Sequence, residues 1–168
     1  MRVNISFFIV NVCMHLTNLN LFSDKQFFWI RNKASGKVLN ACLKCVNSNS
    51  IMQDSVVYME KKYFTKDSQL WFWENDYLRN KQHPTKVLDL DTNDYQGEDD
   101  TQKWGKVVLH DQKSIDSQKW QISGIKLVCK WGNLVLDIWN NDQKHGANVG
   151  CHEDTNSAGQ LWIFEKGQ

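Results

Sequence analysis

Apolar residues in this chain come in short runs closed off by Asn, Asp, Gly and Ser. Val87-Leu88-Asp89-Leu90, Val107-Val108-Leu109-His110, Val135-Leu136-Asp137-Ile138 and Trp162-Ile163-Phe164 are rich in branched and aromatic side chains. Their length and composition predict brief β-strands. Asp91-Thr92-Asn93-Asp94 and Asn140-Asn141-Asp142 lie between such runs and predict turns. No stretch sustains a helical period between caps. The pattern predicts an all-β protein.

The runs recur in phase. Ile30-Arg31-Asn32-Lys33 leads to Gly36-Lys37-Val38-Leu39-Asn40. Leu78-Arg79-Asn80-Lys81 then leads to Thr85-Lys86-Val87-Leu88-Asp89, and Leu127-Val128-Cys129-Lys130 to Asn133-Leu134-Val135-Leu136-Asp137. Each copy closes on a Q-x-W: Gln69-Leu70-Trp71, Gln118-Lys119-Trp120 and Gln160-Leu161-Trp162. A fourth Q-x-W, Gln102-Lys103-Trp104, is out of phase and reads as coincidence. Three copies of about 45 residues predict three units that share one core, because none alone can bury its apolar face. The expected repeats run over about 27–75, 76–124 and 125–168 of a domain spanning 25–168.

Composition narrows the function. The chain has 168 residues with 20 Lys+Arg against 19 Asp+Glu, so it lacks the basic surplus of a general nucleic-acid binder. Residues 1–24 read as an N-terminal leader or signal segment, with Arg2 ahead of an apolar run that Asn4, Asn11 and His15 interrupt. That run is too short for a membrane span. The chain is expected outside the cell if the segment is a signal peptide, and in the cytoplasm otherwise. Cys42 and Cys45 form a C-x-x-C, but no second pair of ligands follows at zinc-site spacing, so they read as ordinary thiols in a loop. There is no G-x-S-x-G elbow and no glycine-rich phosphate loop. The sequence therefore predicts a non-catalytic protein with no cofactor and no metal.

The repeats resemble the ricin B-type lectin family, whose hallmark is a Q-x-W near the end of each of three repeats, preceded by a "GK-x-L-D" strand. Both marks stand here three times, over roughly residues 27–166. The resemblance implies a β-trefoil with pseudo-threefold symmetry: six strands in a barrel and six in a hairpin cap. It implies that Trp71, Trp120 and Trp162 pack in the core, with Gln69, Gln118 and Gln160 tied to backbone. It also implies a carbohydrate-binding lectin module whose partners are glycans or glycoproteins. The alternative, from another class, is a protein-interaction trefoil that has lost sugar binding.

A sugar needs an acceptor for its hydroxyl groups and an aromatic ring for its C–H face. The resemblance assigns the acceptor to the Asp of the "L-D" strand and the ring to the following strand. Repeat 3 then offers Asp137 and His152, with Asn156 or Trp139 supporting from nearby loops. Gly150 and Gly159 stand where the family has polar residues. Repeat 2 offers Asp89 and His110, with Val108 and Ser117 at those polar positions. In repeat 1, Asn40 replaces the Asp and Glu60 stands where the ring is expected, which makes it the weakest of the three.

Overall fold

The structure, a computed structural model, describes residues 26–46, 52–93 and 104–167. The leader segment, the acidic run Glu98-Asp99-Asp100 and Gln102 lie outside the described residues. Repeat 1 supplies β1 (Phe28–Asn32), β2 (Val38–Val46), β3 (Met52–Glu60) and β4 (Trp71–Glu74). Repeat 2 supplies β5 (Tyr77–Asn80), β6 (Lys86–Leu90), β7 (Gly105–Asp111) and β8 (Trp120–Ser123). Repeat 3 supplies β9 (Lys126–Cys129), β10 (Val135–Ile138), β11 (Val149–His152) and β12 (Trp162–Lys166). The only helical elements among the described residues are short 3-10 turns, one of which precedes each Q-x-W strand.

The first and last strands of each repeat build a barrel. β1 pairs with β4 and β12, β4 with β5, and β8 with β9. Two seams are closed by single backbone bonds, from the Trp120 N–H to the Asp76 carbonyl at 2.9 Å and from the Trp162 N–H to the Ile125 carbonyl at 2.8 Å. The middle strands form three hairpins, β2–β3, β6–β7 and β10–β11. Their registers coincide: Asn40 faces Tyr58, Asp89 faces Val108, and Asp137 faces Gly150. This is a β-trefoil, and the aligned quartets of the sequence occupy equivalent places in it.

Each sequence marker has a physical job that repeats three times. The indoles of Trp71, Trp120 and Trp162 are buried, and each Nε1–H donates to a carbonyl of the preceding "V-L" strand. The bonds reach Leu39, Leu88 and Leu136 at 3.0, 2.9 and 2.9 Å. Gln69, Gln118 and Gln160 are fully buried. Their amides donate to the carbonyls of Lys61, Asp111 and Glu153, and their oxygens accept the N–H groups of Tyr63, Lys113 and Thr155. Each Gln thus pins the loop that follows a hairpin. Loss of one would strand buried backbone groups, at about 1–3 kcal/mol per group.

The R-N-K motif closes the ring of repeats. The Asn32 amide donates to the carbonyls of Ala158 and Leu161 in repeat 3, and the Asn80 amide to those of Ser68 and Leu70 in repeat 1. Cys129 takes the equivalent place in repeat 3, its thiol 3.5 Å from the Ser117 carbonyl in repeat 2. Every repeat therefore holds the Q-x-W turn of the one before it. One cysteine reading needs correction: Cys42 stands on strand β2, not in a loop, and is disulfide-bonded. Cys129 and Cys151 are free and buried.

Candidate functional site

The same three residue types stand at the hairpin base in repeats 2 and 3. In repeat 2 the Gln118 amide donates to Asp89 Oδ2 at 2.9 Å, and His110 Nδ1 lies 2.9 Å from the same oxygen. Asp89 is buried, while the His110 side chain is 50% exposed. The imidazole is thus tethered edge-on to the carboxylate. In repeat 3 the Gln160 amide donates to Asp137 Oδ2 at 2.9 Å, but His152 Nδ1 turns to the carbonyl of Glu153 at 3.1 Å. Asp137 keeps no histidine on its carboxylate. Its Oδ1, like that of Asp89, is buried with no hydrogen-bond partner.

Repeat 1 spends its polar groups internally. The Ser68 hydroxyl donates to Asn40 Oδ1 at 2.7 Å. Glu60 Oε2 accepts from the Gln69 amide at 2.9 Å and pairs with Lys66. Glu60 supplies the carboxylate that Asp89 and Asp137 supply elsewhere, so the amide at position 40 leaves the Gln fully bonded.

Around Asp137 the structure opens a cavity of about 200 Å3. Asp137, Trp139 and His152, all singled out in the sequence, line it together. Asn156 does not line it: its backbone is left-handed at φ 55°, and its N–H donates to Asp154 Oδ1 at 3.0 Å. Trp104, Asn140, Asn141, Thr155 and Ser157 also line the cavity, and sequence reasoning missed them as site residues. Asn140 and Asn141 are consecutive left-handed residues, both at φ 52°. Asn tolerates that region better than most side chains. The bend brings Asn141 Oδ1 to 2.6 Å from the Gly159 N–H, which donates to it.

Gly159 now has a reason. A Cβ there would lie 2.4 Å from Asp137 Oδ1 and 2.9 Å from Asn141 Oδ1. The loop asparagine occupies the space that a side chain ahead of Gln160 would need. Burial pushes the Asp137 carboxyl above its ordinary value, and the Gln160 amide, the His152 charge and the Ile138 backbone N–H draw it only part of the way back. Among the described residues no group of three or more His, Cys, Asp or Glu is placed to hold a metal ion. Nor is any helix there long and apolar enough to cross a membrane.

No protein-family profile matches the chain, and no curated protein does. Solved structures do. The chain matches R-type lectin β-trefoil domains over most of its length at low identity. The C-half of an earthworm R-type lectin, solved with GalNAc, has a TM-score of 0.62 at 21% identity, covering 84% of this chain and 98% of that one. The β-trefoil lectin of the Vibrio vulnificus hemolysin, solved with N-acetyl-D-lactosamine, has a TM-score of 0.63 at 15% identity, covering 85% and 96%. ThreeFoil, a designed threefold-symmetric protein, has a TM-score of 0.63 at 21% identity, covering 83% and 97%. Other matches lie within larger toxin and enzyme chains. At these identities the likeness establishes the fold.

Proposed function

We propose that this protein is a non-catalytic lectin module that binds a terminal sugar of a glycan in the repeat 3 cavity. The observation that carries the reading is Asp137: a carboxylate fixed by Gln160, with no histidine closed onto it, lining a cavity with two indoles. An acceptor-only group beside aromatic surface suits a ligand with hydroxyl donors on its edge and C–H groups on its face. A cavity of about 200 Å3 is smaller than the roughly 300–1,000 Å3 of drug-sized sites. That size suits a single terminal ring better than an extended oligosaccharide.

Repeat 2 is the secondary site of this reading, with Asp89 as acceptor and His110 as its ring. A second occupied repeat would let one domain bridge two glycan ends through multivalency. The test is a glycan-array screen of the full chain at neutral pH. The expected result is signal confined to a set of glycans sharing one terminal sugar. A blank array, with no retention on galactosyl, mannosyl or chitin matrices, would sink the reading in favour of a protein-interaction trefoil.

A further inference from the structure

The repeat 3 cavity contains a wall that repeat 3 does not encode. Trp104 stands just ahead of β7, in repeat 2, and β7 pairs with β11 at Lys106↔Gly150 and Gly105↔Cys151. This ladder between repeats sets the Trp104 indole on Gly150, the residue that faces Asp137. A Cβ at position 150 would lie 2.5 Å from indole atoms Cε2 and Cζ2 and 2.2 Å from the Gly105 carbonyl oxygen. Glycine at 150 is therefore a condition for the ring's position. The equivalent residues, Tyr58 and Val108, carry side chains there. Trp104 meets Trp139 edge-on, with centroids 4.9 Å apart and planes at 69°, and both line the cavity beside Asp137.

We propose that Trp104 is the specificity-determining wall of this site, a step that rests on the sugar-binding reading above. Two indoles near a right angle offer two apolar planes. An unsubstituted pyranose has one apolar C–H face to cover. The second plane is matched by a second apolar group on the ring, and the methyl of an acetamido substituent supplies one. Asn141 fits the same class: its amide oxygen is held by the Gly159 N–H, which leaves its NH2 to donate to an acetamido carbonyl. The ligand class is a terminal pyranose bearing an acetamido group.

The test titrates the full chain by calorimetry with matched pairs, N-acetylgalactosamine against galactose and N-acetylglucosamine against glucose. The wild type should prefer the acetamido member of at least one pair by roughly tenfold or more, the range that small apolar groups give in a fitted pocket. Trp104→Ala should bring that ratio close to one. Trp104→Phe keeps a ring on Gly150 and should hold an intermediate ratio, so the test survives poor folding of the alanine variant. A preference unchanged in Trp104→Phe and Trp104→Ala would overturn the wall and leave sugar binding intact, as would a wild type that binds both members of each pair equally. A wild type that binds no sugar would overturn both.

Discussion

Repeats 2 and 3 share a scaffold and differ in what their carboxylates face. Both place an Asp on the "V-L-D" strand, hold one of its oxygens with the Q-x-W glutamine, and set a His on the next strand. In repeat 2 the His closes onto the carboxylate. In repeat 3 it turns aside, and two glycines, Gly150 and Gly159, clear space that Trp104 and Asn141 enter. Identical markers therefore do not make identical sites. The residues that differ are the small ones, whose missing side chains decide what their neighbours can do.

The largest effects should show where the two repeats are alike. Trp120→Ala and Trp162→Ala each remove a buried indole bonded to a strand carbonyl. Each should cost about 3–5 kcal/mol in urea denaturation, as aromatic-to-alanine changes in cores do. A large inequality between them would break the scaffold equivalence.

Next comes the difference itself. Asp137→Asn should weaken glycan retention roughly tenfold, the loss of about 1–1.5 kcal/mol expected when a hydrogen bond to a charged acceptor becomes neutral. Asp89→Asn should leave most of the retention in place. The fold should tolerate both, because an Asn side-chain oxygen can still accept from the Q-x-W glutamine amide. Equal losses from the two variants would show that the repeats contribute alike.

The fold was legible in the sequence because a shared core requires period. Two markers in order, three times over, cannot keep phase unless each has the same neighbours, and the three Trp–carbonyl bonds show that they do. The candidate site was legible only in part. Asp137, Trp139 and His152 belong to one repeat, so aligning the repeats brought them together. Trp104 did not emerge, because it crosses between repeats along the β7–β11 ladder, and an internal alignment carries no record of contacts between copies. Its out-of-phase position was the usable signal, as was a glycine at 150 where the other copies carry Tyr58 and Val108. The inward turn of Asn141 depends on two left-handed residues, which Asn140-Asn141 permits but does not announce.

Acidity gives a finer separation. Burial raises the Asp137 carboxyl above its ordinary value of 3.8. A raised value means that the folded state prefers the protonated form. Its contribution to stability is complete below the unfolded value and is lost as pH rises through the folded one. Sugar hydroxyls need the ionised form, so binding should strengthen across the same window, from pH 3.8 upward. Retention on the matching glycan, followed with pH, should rise in that window for the wild type. Asp137→Asn should remove that rise, and His152→Gln should preserve it, which assigns the change to the carboxylate. A rise that survives Asp137→Asn would place the titration elsewhere.

The smallest effect separates the histidines. His110 holds Asp89 Oδ2 directly, whereas His152 meets only the exposed carbonyl of Glu153. A hydrogen bond contributes about 0.5–1.5 kcal/mol net, and solvent around the half-exposed His110 ring puts this one at the low end. His110→Ala should therefore lower stability by about 0.5 kcal/mol, and His152→Ala by less, both read as shifts in the urea midpoint. His110→Ala should also free Asp89 Oδ2 for hydroxyl donors while removing the ring of the repeat 2 site. Because the Trp104 indole stands over Gly150 and not over Val108, that release should add at most weak binding in repeat 2. A gain to the level of repeat 3 would show that the tethered histidine, and not the missing aromatic wall, is what sets the two repeats apart.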